Sequence, residues 1–190
     1  MSDPQTKGFN IKSNMDAIQE ELTDAEQEAF LQHLPPDMMA QLSDVSAGSW
    51  YPIEWINAIF DGLVAAKGAE TPEEAWKVVE EFSAGVAAKN FNSVLKLMVR
   101  FMKPQTLAKM LPKFWDKYYR DAGSVRFVSS DLDNRTVEVE LLDHPHVQRI
   151  AATISGWILA AFQKTGVQDI QVEELNYGVG DQRGDQYRFK

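Results

Sequence analysis

From Ser124 to Leu142 the chain reads SVRFVSSDLDNRTVEVELL, and this stretch decides the fold class. Val125 and Phe127 fall on one side of an extended segment over residues 124–130. Val137, Val139 and Leu141 fall on one side of a second, with Glu138 and Glu140 between them. A period of two with apolar residues on one side only is the pattern of a half-buried strand. Asp131-Leu132-Asp133-Asn134-Arg135 supplies the turn residues, so the stretch predicts an antiparallel hairpin with a covered face and a wet one.

Towards the C-terminus, Asp143-His144-Pro145-His146 leads into a helix from about Val147 to Lys164. Ile150, Ile154, Trp157, Ile158 and Ala161 are expected to face the sheet, and Gly166 to stop the helix. Residues 168–175 and 186–189 read as two further strands around the glycine-rich loop from Asn176 to Gly184. Towards the N-terminus, Asp121-Ala122-Gly123 marks the change to a helical period. Lys109, Lys113, Lys117 and Arg120 there form a basic row opposite Leu107, Leu111, Phe114, Trp115 and Tyr118. Lys96, Arg100 and Lys103 form another, opposite Met98, Phe101 and their apolar neighbours. Pro112 is expected to kink or restart its helix, because its ring meets the carbonyl four residues back.

Earlier still, Thr71-Pro72-Glu73-Glu74 starts a helix to about Lys89, combining a capping threonine, a first-turn proline and a glutamate at the third position. Trp55, Ile59 and Leu63, with Phe60 alongside, give the apolar stripe of the helix after Tyr51-Pro52. Thr23 and Glu26 have the spacing of a capping box. Residues 1–13 are expected to form a flexible tail, and residues 14–190 a single domain. Within it lie an N-terminal helical extension (14–45), a helical part (46–123), and a sheet with one crossover helix (124–190). The fold class is therefore α+β, with N-terminal helices packed on a C-terminal antiparallel sheet of β-β-α-β-β order.

The 190 residues are 44% hydrophobic and 25% charged, as in an ordinary globular protein. With no cysteine there is neither disulfide nor thiol chemistry, which fits a cytoplasmic location. No apolar run is long enough for a transmembrane helix. The net charge of -9 argues against nucleic acid as a partner, but it is unevenly spread. Residues 1–88 carry -12, residues 89–120 carry +7, and residues 121–190 carry -4. Such asymmetry points to an interface, internal or with a partner.

Tyr51-Pro52 with Trp55, Leu111-Pro112-Lys113-Phe114-Trp115 with Tyr118, Tyr119 and Gly123, and Gly156-Trp157 with Gly166 and the closing glycine hairpin carry a resemblance. Over residues 46–190 the chain resembles a myxobacterial paralogous family of single-domain proteins. That family is similar to the 4-vinyl reductase domain, the haem nitric-oxide-binding domain and the TRAPP vesicle-tethering subunits. The resemblance implies a fold that houses small or apolar ligands between helices and sheet, in signalling or assembly rather than catalysis. The haem-binding relatives carry a Tyr-x-Ser-x-Arg motif and a proximal histidine. This chain lacks that motif, so no cofactor is expected and haem is taken as unlikely.

No catalytic residues are assigned. Asp143, His144 and His146 could offer nitrogen and carboxylate ligands to a metal, but a helix-leading loop accounts for them more simply, and no metal is expected. Gly178, Gly180 and Gly184 precede a strand where a dinucleotide loop would precede a helix. Ser155 lies mid-helix without a base, and Glu80-Glu81 and Glu173-Glu174 read as solvated surface.

Two functions remain. The first is a non-catalytic ligand-binding or sensory domain with an apolar pocket built from Trp55, Phe60, Met98, Phe101, Leu111, Phe114, Trp115, Tyr118 and Trp157, taking a small apolar ligand. The second is an interaction module whose face of Lys96, Arg100, Lys103, Lys109, Lys113, Lys117 and Arg120 docks an acidic protein or a second copy.

Overall fold

The computed structural model describes residues 3–90, 103–131, 136–144, 147–164, 172–176 and 184–189. Its elements in chain order are β1 (Gln5–Lys7), α1 (Gly8–Glu21), α2 (Asp24–Leu31), α3 (Pro36–Gln41), a 3-10 turn (Leu42–Asp44), β2 (Trp50–Pro52), α4 (Ile53–Ala66) and α5 (Pro72–Asn90). They continue with α6 (Pro104–Tyr118), β3 (Tyr119–Arg120), β4 (Ser124–Asp131), β5 (Thr136–Leu142), α7 (Val147–Lys164), β6 (Val172–Asn176) and β7 (Gly184–Phe189). The fold is α+β. Residues 91–102, with Met98, Phe101, Lys96 and Arg100, lie outside the described residues.

The hairpin forms where the alternation places it. Val125 pairs with Leu141 and Phe127 with Val139, and a bulge between Phe127 and Ser129 leaves Val128 exposed. β7 then adds to β5 and β6 to β7, giving an antiparallel sheet of order β4-β5-β7-β6. Arg126 donates to the Glu140 carboxylate across the strand pair, an opposite-charge pair between facing residues of adjacent strands.

Helix starts follow their sequence signals. Thr23 accepts from the amide of Glu26, whose carboxylate accepts in turn from the amide of Thr23 at 2.8 Å. Glu74 accepts from the amides of Glu70 and Thr71. Helix α6 continues across Pro112; the proline removes one internal hydrogen bond, and the helix lies against β4.

The structure differs from the sequence reading of the N-terminal tail at residues 3–13. Gln5–Lys7 form the central strand of a second, three-stranded sheet, flanked by β2 and β3. Thr6 and Ile11 are fully buried. The first amides of α1 are satisfied by a loop, Gly8 donating to the Ser49 carbonyl at 2.9 Å and Phe9 to that of Ala47 at 3.0 Å. A Cβ at residue 8 would overlap the Ser46 carbonyl, so glycine is required for that approach. A three-residue polar strand has too few positions to show a period, which is why the pattern reads as a tail.

A second difference concerns α7. Its main helical partner among the described residues is α5. Gly156 lets the two backbones meet: a Cβ there would overlap the Glu80 carbonyl oxygen and crowd Ala84 and Ser83. At the same crossing the fully buried Ser155 donates its hydroxyl to the Glu80 carboxylate, which also accepts from the Trp76 indole. Glu80 is thus an interhelical clamp, whereas Glu81 lies on the surface beside Lys77. Among the described residues, no helix is long and apolar enough to cross a membrane.

Two outcomes follow for stability. Gly156→Ala overpacks the α5–α7 crossing, so it is expected to cost about 1–3 kcal/mol and lower Tm by several degrees in thermal unfolding followed by circular dichroism. The Glu26 carboxyl is held down to about 2 by the Thr23 amide first and then by Lys67. A carboxylate lowered in the folded state stabilises fully above its ordinary value of 4.5 and loses that contribution as pH falls towards 2. Glu26→Gln is therefore expected to flatten the decline of Tm in that window and leave its slope near neutrality unchanged.

Candidate functional site

A cavity of about 140 Å³ lies between α1, α6 and α7, with β3 and β4 completing its wall. Helix α6 contributes Leu107, Ala108, Leu111, Phe114, Trp115 and Tyr118. Facing it, α7 contributes Thr153, Ile154, Trp157, Ile158, Ala161 and Phe162, and Asn10, Tyr119 and Val125 close the remaining sides.

Each helix reaches the cavity for a local reason. The stripe of α6 repeats at three and four residues, so Leu107, Leu111, Phe114, Trp115 and Tyr118 share a side while the lysines point away. Trp115 is fixed by its indole, which donates to the Gly123 carbonyl at 3.0 Å. Gly123 adopts φ 79°, and a Cβ there would overlap the Leu142 carbonyl, so only glycine brings that carbonyl into place. Tyr119 stacks on Trp115 with centroids 4.2 Å apart, and the buried His144 meets both rings edge-on. Phe9 of α1 stacks on Tyr118 with centroids 5.6 Å apart.

The wall is chiefly apolar. Its polar groups are the Tyr118 and Tyr119 hydroxyls, Asn10 and Thr153. Asn10 donates to Thr6 at 3.1 Å, and the Thr153 hydroxyl donates to the Arg149 carbonyl at 2.9 Å. What these can offer a ligand is the Asn10 amide oxygen and hydroxyl lone pairs. Burial pushes the Tyr119 phenol above its ordinary value, so it stays protonated at neutral pH.

Of the nine residues expected to build a pocket, the structure brings Leu111, Phe114, Trp115, Tyr118 and Trp157 together on this wall. Trp55 and Phe60 lie elsewhere. Trp55 stacks on Tyr51 and donates to Asp37 at 3.2 Å, while Phe60 is fully buried in α4. Both belong to the packing around α2 and α4, because the stripe of α4 turns towards α1 and α2. Met98 and Phe101 lie outside the described residues. Sequence reasoning missed Asn10 because it fell in the supposed tail. Ile154, Ile158 and Ala161 were seen as a stripe but aimed at the sheet.

Asp143 takes a left-handed backbone, φ 54°, and His144 turns inward against Trp115 and Tyr119. His146 lies outside the described residues. Among the described residues no three His, Asp or Glu side chains gather as a metal site. Residues 177–183 also lie outside them, and Gly184 opens strand β7.

No family model matches the chain. No curated protein matches it either. Solved structures do. An H-NOX protein from S. oneidensis in the Fe(II)NO ligation state superposes with TM-score 0.67 at 14% identity, over 97% of this chain and 98% of that one. An oxygen-binding H-NOX domain related to soluble guanylate cyclases gives 0.65 at 14%, over 97% and 94%. A structure titled for the modulation of heme redox potential through porphyrin distortion gives 0.61 at 12%, over 97% and 99%. At such identities the likeness is one of fold, and the fold is H-NOX-like.

These neighbours overturn the expectation that haem is unlikely: they are described with heme, Fe(II)NO and bound oxygen, and haem becomes a ligand to test. Among the described lining residues, the groups of a kind known to ligate haem iron are the phenols of Tyr118 and Tyr119, the latter protonated. No described lining residue is cationic, and 140 Å³ lies below the roughly 300 Å³ at which pockets for larger ligands begin. No step is derived through the macrocycle.

Removing the Trp115 N–H by Trp115→Phe leaves the Gly123 carbonyl without its donor. The expected cost is about 1–2 kcal/mol in denaturant unfolding, with an unchanged m-value as the check that the folded state keeps its compactness.

Proposed function

We propose that this chain is a non-catalytic, cytoplasmic ligand-binding or sensory domain whose cavity between α1, α6 and α7 takes a small apolar molecule. The observation that carries the reading is the chemistry of the cavity: fifteen residues line it, and all but Asn10, Thr153 and the two tyrosines are apolar. A cavity of about 150 Å³ lined by aliphatic and aromatic side chains stays dry and holds a benzene-sized molecule. A monocyclic aromatic, or one bearing a single polar group towards Asn10 or Thr153, matches both size and lining. The H-NOX-like fold supports the reading, since neighbours of that fold carry small ligands by their titles. With it we retain the resemblance to the myxobacterial paralogous family and read residues 14–190 as one domain, joined by the segment before them.

A second reading is an interaction module. It is favoured by Lys103, Lys109, Lys113, Lys117 and Arg120, which are all exposed. None of the five forms a salt bridge among the described residues. They belong to the basic face expected to dock an acidic protein or a second copy.

Toluene serves as the probe for the cavity. At about ten times its Kd it is expected to stabilise the protein by about 1.4 kcal/mol, raising Tm by about 3–6 °C. The effect should vanish in Ala161→Leu, which fills the space. Haem is added in a parallel arm and followed by its Soret absorbance. No Tm shift in the wild type, or an equal shift in Ala161→Leu, contradicts the reading. A haem complex that abolishes the toluene shift replaces the small molecule with the macrocycle.

A further inference from the structure

The three-stranded sheet has two unlike faces. On the inner one, Thr6 is fully buried and Tyr119 lines the cavity. On the outer one lie Gln5, Lys7, Trp50 and Arg120, their neighbours in the register. There the Lys7 ammonium sits 3.9 Å from the centroid of the Trp50 ring and the Arg120 guanidinium 4.3 Å from it. Three segments far apart in sequence thus bring two cations to one half-buried indole. Lys117 is exposed in the last turn of α6, two residues before β3.

Each cation is attracted by the indole quadrupole, but like charges gathered at one ring repel each other. Among the described residues neither Lys7, Arg120 nor Lys117 forms a salt bridge. A carboxylate placed between them relieves that repulsion and gains charge-assisted hydrogen bonds, bidentate ones at Arg120.

Building on the interaction-module reading, we propose that the outer face of this sheet, centred on Trp50 with Lys7 and Arg120, is the docking site for an acidic segment of a partner protein. Net charge selects that occupant over other polyanions. The chain carries -9 overall and -12 in residues 1–88, so an extended nucleic acid or an anionic bilayer meets long-range repulsion. A short acidic segment meets chiefly the local cations, because the Debye length is about 8 Å at physiological salt. The site also backs directly on the cavity. Tyr119 and Arg120 are consecutive residues on opposite faces of one strand, and Thr6, beside Lys7, accepts from the cavity residue Asn10.

Fluorescence anisotropy with a labelled dodecapeptide of alternating Glu and Ser tests this. Variants of the full chain are compared at equal Tm: Lys7→Gln with Arg120→Gln, Trp50→Leu, and Lys77→Gln on the exposed surface of α5 as a control. The double variant is expected to bind about tenfold more weakly with a shallower salt dependence, Trp50→Leu to weaken binding as well, and Lys77→Gln to match the wild type. Ala161→Leu is expected to bind the free peptide normally, so failure of the cavity reading and failure of this one register separately. The proposal is overturned if the peptide does not bind, if the double variant binds as the wild type does, or if a duplex DNA dodecamer or phosphatidylserine vesicles bind this face and the peptide does not.

Discussion

Gly156 sets the seat of α7, and much else depends on it. Because residue 156 has no side chain, α7 lies directly on the backbone of α5 at Glu80 and Ala84, and the Ser155–Glu80–Trp76 contacts lock the crossing. Helix α6 is held on the other side of the gap, against β4 and by the Trp115 indole on the Gly123 carbonyl. Two helices each fastened to a different support cannot collapse onto each other. The space left between them is the cavity, and its survival in an otherwise close-packed interior follows from those two anchors.

The same anchors decide what the space can hold. Trp115, Tyr119 and His144 form a packed aromatic corner, and Phe9 stacks on the neighbouring Tyr118. Charge is kept out of the described lining, and burial pushes the Tyr119 phenol further above its ordinary value. The basic row of α6 emerges on the solvent side, and β3 passes from the aromatic corner to the cationic surface within two residues.

Much of this was legible in the sequence, and the failures have physical causes. The hairpin of β4 and β5, the capping boxes at Thr23 and Thr71, and helix α7 all came from short-range patterns that tertiary packing reinforced. Five cavity residues on α6 and α7 were nameable because an amphipathic stripe marks its own buried side. What a stripe does not state is which neighbour it faces. Trp55 and Phe60 carry the same signal as Trp115, yet they fill the packing around α4. Ser155 reads as an unremarkable mid-helix serine because its partner is Glu80, 75 positions away, and the packing role of Gly156 is hidden for the same reason. Strand β1 was invisible for a related reason: its order comes from pairing with β2 and β3, not from anything in Gln5-Thr6-Lys7 itself.

A pressurised-xenon crystal structure addresses the central claim most directly, since xenon enters dry apolar cavities of this size and scatters anomalously. The account predicts an anomalous peak bounded by Leu111, Trp115, Trp157 and Ala161. A void filled by ordered water, or α6 and α7 packed together with no space between them, would contradict it.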